Sequence, residues 1–200
     1  MRIGIDIDDT IADTYEVMFA YAQHYTINEL GRTGEIQSEV SNHHFYAEIM
    51  HHWNKEEAAN FWDKYYEKIE FVKPFTLAVE VLQKLKAEGN EIILITARWA
   101  AKNFDIEKTT LEWLKRNHIP YDEIEIIREG KAQVALDKKV DLFIDDSFKN
   151  CTEVANAGIK SYLMDTRTNK GLSAENVTRV YSWSDIYDRI KKEESINGTL

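Results

Sequence analysis

Two hydrophobic periodicities divide the chain into predicted strands and helices. Short apolar runs rich in β-branched residues and bounded by polar or turn residues predict buried strands. Such runs lie at residues 3–7, 91–96, 123–128, 140–144, 160–165 and 177–181. From residue 74 onward these runs alternate with segments of helical periodicity. The alternation predicts an α/β fold with a doubly wound, mostly parallel sheet and right-handed crossovers.

Helices are predicted where apolar residues recur every three or four positions. The first covers residues 12–25, and residues 26–41 read as a polar loop before a short helix at 42–50. Asn54 and Glu57 have the spacing of a capping box before an apolar stripe. Pro74 is placed as the start of a helix that ends before Gly89. Further helices are predicted at 105–118, from 131, at 147–157 and at 185–192.

The segment 12–73 contains no strong strand signal and is rich in aromatic residues. We interpret it as a small α-helical cap inserted after strand 1, with residues 1–11 and 74–200 forming the core domain. A cap over the strand ends would exclude water and contact the substrate. Tyr15 and Phe19 are its candidate substrate contacts. The alternative is that the aromatic residues form the core of a helical bundle.

Composition limits the possible partners. The 200 residues are 44% hydrophobic and 30% charged, as in a globular protein, and the net charge is −10. This charge argues against a nucleic acid polymer or an acidic membrane as partner, but one local metal site would still permit a small phosphate ester. Cys151 is the single cysteine, so no intrachain disulfide forms. Without a signal segment or a long apolar run, a cytoplasmic location is predicted.

Three carboxylates follow the first predicted strand: Asp6, Asp8 and Asp9. Asp6 and Asp8 stand two residues apart, so in an extended chain their side chains share a face. One of them can attack a phosphorus atom, and the other can act as general acid and base. A hard divalent cation, most plausibly Mg²⁺, would neutralise their repulsion and orient a phosphate. The alternative is an acidic turn in which Asp9 or Thr10 caps the next helix.

The second strand of the core ends in Thr96-Ala97-Arg98. The Thr96 hydroxyl, together with backbone amides beyond it, can form an anion cradle. The alternative is a plain exit from a strand into a loop. Arg98 can bind a substrate phosphate in a bidentate manner or pair with an acid, and the sequence leaves both uses open.

Two later positions complete the chemistry. Lys131 opens a predicted helix after Gly130, where its ammonium group can steady both a nucleophilic carboxylate and a transferring phosphoryl group. An ordinary surface lysine is the alternative. Asp145 and Asp146 end another apolar strand and would face Asp6 if the two strands are neighbours. We assign Asp145 to direct metal ligation and Asp146 to a supporting position behind it.

In chain order, the motif Asp6-x-Asp8-x-Thr10, then Thr96, Lys131 and the Asp145-Asp146 pair, resembles the four motifs of the haloacid dehalogenase (HAD) superfamily of phosphatases. The resemblance spans residues 1 to about 165. It implies a Rossmannoid core with a cap between the first two motifs. The implied catalytic residues are Asp6 as nucleophile, Asp8 as general acid and base, and Lys131. The candidate phosphate contacts are Thr96, Ala97, Arg98 and Lys131, the candidate Mg²⁺ ligands are Asp6, Asp8 and Asp145, and the candidate supports are Thr10 and Asp146.

Within the superfamily, the chain looks most like the 5'(3')-deoxyribonucleotidase group, on residues 5–11, the helical cap and residues 144–146. This implies hydrolysis of (deoxy)nucleoside monophosphates, with sugar phosphates or other small esters as the alternative. Two departures from the superfamily pattern stand out. Position 9 is Asp where Gly is common, and no further acid follows the Asp145-Asp146 pair in the last motif.

Three other classes of protein share part of this pattern. A receiver-type phosphorylation domain also has acids, a Thr and a Lys at strand ends, but it has no insert after its first strand and a single acceptor Asp. A dehalogenase would not need an acid at Asp8. A catalytically silent phosphate-binding protein is the third alternative. His43, His44, His51 and His52 invite a zinc site, but a solvated polar face is favoured. The oligomeric state, a homodimer included, is left open.

Overall fold

A single parallel sheet forms the centre of the computed structural model, which describes residues 1–33, 52–98 and 104–197. The sheet has six strands in the order β3-β2-β1-β4-β5-β6, and every neighbouring pair is parallel. The strands are β1 (Arg2–Ile5), β2 (Glu91–Thr96), β3 (Glu123–Ile126), β4 (Leu142–Asp145), β5 (Lys160–Met164) and β6 (Val177–Val180). The predicted doubly wound α/β fold is confirmed.

Helices cover both faces of this sheet. They are α1 (Thr14–His24), α2 (Lys55–Tyr65), α3 (Ala78–Ala87), α4 (Ile106–Arg116), α5 (Lys131–Asp137), α6 (Phe148–Asn156) and α7 (Trp183–Asn197). Alternate strand residues enter separate cores: Ile92 and Leu94 of β2 pack in the larger one, and Ile93 and Ile95 pack in the smaller one. Burial on both faces explains why the strands read as continuous apolar runs rather than as alternating ones.

The strand β1 lies at the centre of the sheet between β2 and β4. Gly4 lets the second core approach it closely, because a Cβ atom there would meet side-chain atoms of Phe143 and Val140 at 3.1 Å. Since parallel strands end at the same edge, this order brings the segments after Ile5, Thr96 and Ile144 together. Such an edge is where open α/β sheets bind ligands.

Several element boundaries in the structure differ from the predicted ones. The first helix continues as a π-helical turn, Tyr25–Glu29, where a loop was predicted. Its residue Thr26 is buried, donates to the Ala22 carbonyl at 2.8 Å and accepts from Trp53 Nε1 at 3.0 Å. Tertiary packing therefore extends the helix. The predicted helix at 42–50, with His43, His44 and His51, lies outside the described residues.

The prediction that Pro74 starts a helix is wrong. Pro74 forms an antiparallel bridge with Ala12, and α3 begins only at Ala78, after Leu77 adopts a left-handed conformation with φ 66°. Backbone hydrogen bonds flank the bridge, from Asp13 N to the Lys73 carbonyl (3.0 Å) and from Phe75 N to the Ile11 carbonyl (2.8 Å). The chain therefore leaves the sheet region at Ala12 and returns to it at Pro74, next to the same point. The division into cap and core stays a prediction.

Most aromatic side chains of the segment after β1 pack on one another. Trp53 and Phe61 have ring centroids 4.7 Å apart, and Tyr25 and Tyr65 complete a buried cluster with them. These four residues therefore follow the alternative in which the aromatic residues form a core. In the part of the chain that the structure describes, no helix is both long enough and apolar enough to cross a membrane.

Candidate active site

The ends of the central strands open into a cavity of about 400 Å³, a size that suits a small-molecule ligand. The structure brings seven of the nine predicted site residues to its wall. They are Asp6, Asp8, Thr96, Ala97, Arg98, Lys131 and Asp146. The other two, Thr10 and Asp145, are fully buried behind that wall.

A buried ion-pair triad joins Asp6 and Lys131 of the cavity wall to Asp145 behind it. The Lys131 ammonium lies 2.8 Å from Asp6 Oδ1 and 2.7 Å from Asp145 Oδ2. Asp6 directly follows β1, and its backbone N–H donates to the Ile144 carbonyl of β4 at 3.0 Å. Lys131 is the first residue of α5 and follows Gly130, whose φ of 85° makes the turn into the helix. One cation therefore joins the ends of two adjacent strands.

The electrostatics of the triad reflect burial and crowding of charge. Burial, with the nearby charges of Asp145 and Asp8, raises the pKa of Asp6 to about 7, although Lys131 opposes the shift. Burial lowers the pKa of Lys131, but its two carboxylate partners outweigh this and raise the pKa above its ordinary value. The lysine is therefore a permanent positive charge beside Asp6.

The two acids at the end of β4 have different surroundings. Asp145 accepts from Lys131, from the Ser147 backbone N–H at 2.7 Å and from Asn150 Nδ2 at 3.2 Å, so its oxygens are occupied. Asp146 instead faces the cavity, and burial together with neighbouring carboxylates raises its pKa. One oxygen each of Asp6, Asp145 and Asp146 lies within 4.8 Å of the others. This all-carboxylate set, in a protein of this fold, indicates a divalent metal site.

Asp8 points to another cation. Arg98 binds it in a bidentate manner, with Nε 2.8 Å from Oδ2 and Nη2 2.9 Å from Oδ1, and the Thr14 hydroxyl donates to it at 2.7 Å. Burial would raise the pKa of Asp8, but Arg98 and Thr14 hold it below its ordinary value. Of the two uses of Arg98 that the sequence left open, the structure shows the pairing with an acid. Thr110 also accepts from its Nη1.

Two threonines carry hydroxyl groups that the surrounding protein does not satisfy. Thr96 Oγ1 and Thr10 Oγ1 are buried and have no hydrogen-bond partner among the described residues. Thr96, at the end of β2, lines the cavity together with the half-buried Ala97. Because a buried hydroxyl without a partner is unfavourable, Thr96 has the character of a ligand-binding donor.

Three residues at the site were not predicted as site residues: Asp9, Asn150 and Asn169. Asp9, noted for replacing a common Gly, has a φ of 56° and accepts from the Tyr15 N–H at 2.7 Å, and burial with nearby acids raises its pKa to about 8. Asn150 contacts Asp145, and its place in the first turn after the acids was an available signal. Asn169 donates to the Asp146 carbonyl at 2.7 Å across 23 residues, with no local signal.

Part of the cavity wall is apolar and aromatic. Trp62 and Tyr66 line it, with Tyr15 and Met18 from α1. Tyr15 thus reaches the cavity as its candidate role requires, whereas Phe19 stacks on Tyr15 with centroids 5.7 Å apart and is not among the lining residues. Trp62 of α2 and Tyr66, just after it, therefore line the cavity while also packing with the aromatic core.

This combination of a parallel sheet, strand-end aspartates, a strand-end threonine and a lysine at a helix start defines a HAD-like phosphatase. Solved structures show the same fold. A haloacid dehalogenase-like hydrolase from Streptococcus pneumoniae matches with a TM-score of 0.65 and 14% identity over 94% of this chain and 97% of that one. A similar hydrolase from Xanthomonas campestris matches with a TM-score of 0.63 and 14% identity over 100% and 98%.

The sequence comparisons identify the family. The family model described as "5' nucleotidase, deoxy (Pyrimidine), cytosolic type C protein" matches residues 1–194, so the chain belongs to this family. A nucleotidase of Clostridium acetobutylicum is 29% identical over 204 residues, which cover 98% of each chain. The protein is therefore a phosphoric monoester hydrolase of the 5'-nucleotidase type. The resemblance to the HAD superfamily of phosphatases is confirmed, rather than a receiver domain or a catalytically silent phosphate-binding protein.

We predict that Thr96→Val impairs catalysis without destabilising the fold. The hydroxyl has no protein partner to lose, whereas a lost hydrogen bond to a charged phosphate corresponds to roughly a 10- to 100-fold drop in kcat/KM. Urea unfolding and steady-state kinetics measure both effects. Ser161→Ala is the matched control, because its hydroxyl is also buried and unpartnered but lies away from the cavity. Unchanged kinetics in Thr96→Val would refute the ligand role.

We also predict that the metal-free protein loses stability as pH rises from about 5 to 8. The folded-state pKa values of Asp6 (about 7) and Asp9 (about 8) exceed the ordinary 3.8. Their contribution to stability is therefore complete below about pH 4 and disappears as pH passes through the raised values. Chemical unfolding in a chelator measures this. Excess Mg²⁺ should reduce the loss, because metal ligands must be ionised. Constant or rising stability in the chelator would contradict the prediction.

Proposed function

We propose that the protein is a Mg²⁺-dependent 5'-nucleotidase that hydrolyses (deoxy)nucleoside monophosphates through an aspartyl-phosphate on Asp6. The observation that supports this most strongly is the position of Asp6. It is a nearly buried carboxylate that is paired with Lys131 and lines the same cavity as Thr96, whose buried hydroxyl has no partner among the described residues. Such positioned charge is the main protein contribution to phosphoryl transfer.

In the first step, an Asp6 oxygen attacks phosphorus while the bond from phosphorus to the nucleoside 5'-oxygen breaks. Arg98 and Thr14 favour the ionised form of Asp8, so Asp8 must first take up a proton, which it then passes to the leaving oxygen. In the second step, Asp8 takes a proton from water, and the water oxygen attacks the same phosphorus. The bond to Asp6 breaks, which regenerates the carboxylate and releases inorganic phosphate. Thr96, the backbone beyond Ala97 and Lys131 hold the phosphoryl oxygens during both steps.

The residues present fit a divalent ion, and we assign it to Asp6 and Asp146. This reverses the order expected from the sequence, because Asp145 already accepts from Lys131, Ser147 and Asn150, whereas Asp146 faces the cavity. Asp8 also leaves the ligand set, since its side chain is held by Arg98 and Thr14. A bound Mg²⁺ would neutralise negative charge on the phosphate and orient it. Arg98 is then a partner of Asp8 rather than a phosphate contact.

The aromatic wall supports a nucleotide as substrate. Trp62 and Tyr66 line the same cavity as the acids, so a base or sugar attached to a phosphate bound there could contact them. Planar aromatic side chains can stack on a nucleobase. The family description and the nucleotidase from C. acetobutylicum agree with this choice.

A panel of phosphate monoesters, assayed with and without Mg²⁺, tests the proposal. Deoxynucleoside and ribonucleoside monophosphates should be hydrolysed faster than sugar phosphates, and a chelator should abolish turnover. Asp6→Asn protein, purified in the same way, is the control for contaminating phosphatases and should lose at least about a thousandfold in kcat, as expected when a covalent nucleophile is removed.

Each part of the proposal has its own contrary result. Sugar phosphates hydrolysed faster than every nucleotide would overturn the substrate assignment. Full activity in excess chelator would overturn the metal requirement, and Asp6→Asn turnover within a few-fold of the parent would overturn the covalent route.

A further inference from the structure

One buried asparagine connects the loop after β5 to the acid pair of β4. Asn169 is 3% exposed, and its Nδ2 donates to the carbonyls of Asp146 and Met164, both at 2.7 Å. The pairing of β4 with β5 ends at Asp145, opposite Leu163. Asp146 therefore lies just beyond the regular ladder, and the bond from Asn169 fixes its carbonyl where the sheet no longer does.

The hydrogen bonds of Asn169 specify an amide at this position. Its two N–H groups face two backbone carbonyls, while its Oδ1 accepts from the Thr166 N–H at 3.2 Å and from Arg179 Nη1 at 2.6 Å. Both donors and both acceptor positions are thus in use. A carboxylate of the same shape would place oxygen against the Asp146 and Met164 carbonyls.

Arg179 on β6 holds this asparagine and its loop. Besides Asn169 Oδ1, the guanidinium contacts Asp165 Oδ1 at 2.6 Å and donates to the Asn169 carbonyl at 2.9 Å and the Leu172 carbonyl at 2.5 Å. All of these contacts fall within residues 165–172. Asn169 and Leu172 of that loop line the active-site cavity. Arg179 therefore stabilises this part of the cavity wall.

We propose that Asn169, held in place by Arg179, is a positioning residue for Asp146 and so sets the affinity of the site for its divalent cation. The inference depends on the proposed function, which assigns Asp146 as a metal ligand. A ligand whose backbone is fixed before the ion arrives loses less freedom on binding. Outer residues that orient ligands in this way typically account for about 10- to 100-fold in metal affinity.

The test is the Mg²⁺ dissociation constant of the substrate-free protein, measured by titration calorimetry. Asn169→Ala and Arg179→Met should each weaken binding by about 10- to 100-fold. The double variant should lose little more than Asn169→Ala alone, because both changes interrupt one chain of contacts. Asn169→Asp, which keeps the acceptor contacts and the volume, should show the loss caused by the missing donors.

Arg189→Met is the matched control. Arg189 also pairs with a carboxylate, Asp185, but it lies on α7 and contacts no residue of the loop, so its replacement should leave Mg²⁺ affinity unchanged. Thermal melting of every variant separates stability from affinity. A variant that melts lower but binds Mg²⁺ as the parent does would show a purely structural role and overturn the inference. A loss confined to the Asn169 variants would remove Arg179 from it.

Asp146→Asn separates this inference from the proposed function. If Asp146→Asn abolishes Mg²⁺ binding while the Asn169 and Arg179 variants bind normally, the positioning role is wrong and the metal assignment stands. If Asp146→Asn binds Mg²⁺ as tightly as the parent, the metal assignment itself fails, and the positioning role fails with it.

Discussion

The ammonium group of Lys131, set between Asp6 and Asp145, is the interaction on which the rest of the site depends. All three side chains are buried, and two carboxylates at neighbouring strand ends would repel each other without it. Leaving one charge of such a group unpaired is strongly destabilising, so the contacts must be accurate. The sheet supplies that accuracy, because β1 and β4 are adjacent parallel strands and Asp6 bonds directly to the backbone of β4.

The acids of the site differ in their partners and in their access to the cavity. Asp145 accepts from Lys131 and from the backbone N–H of Ser147, which precedes α6. It therefore holds Lys131 in position. Asp6 and Asp146 line the cavity, and burial together with neighbouring carboxylates raises their pKa values. Asp8 has a cation of its own in Arg98, which also packs over Trp113, with the guanidinium carbon 5.8 Å from the ring centroid. Asp6 and Asp8 are thus held by two separate cations, Lys131 and Arg98.

Much of this arrangement could be predicted from local sequence. Apolar runs that end in polar residues located the strands and, with them, Asp6, Thr96 and the Asp145-Asp146 pair, because strand ends meet at one edge of a parallel sheet. The helix start after Gly130 located Lys131. These features are local, so the periodicity and the residue types carry them.

The remainder depends on tertiary contacts that leave no local trace. The pairing of Arg98 with Asp8 joins residues that follow two different strands, and the support of Asp146 by Asn169 joins residues 23 positions apart. On α2, adjacent residues have opposite roles: Phe61 is in the aromatic core and Trp62 lines the cavity. The stripe in the sequence could not show which of them faces a ligand.

The free energy of unfolding in a chelator, compared across Lys131→Met, Asp145→Asn and the double variant, tests the central claim most directly. Lys131→Met should destabilise the protein by about 3–5 kcal/mol, since it leaves buried carboxylates without their cation. Adding Asp145→Asn should recover part of that loss, because it removes one of the unpaired charges. A Lys131→Met protein as stable as the parent, or a double variant that shows only the sum of the two separate losses, would contradict the account.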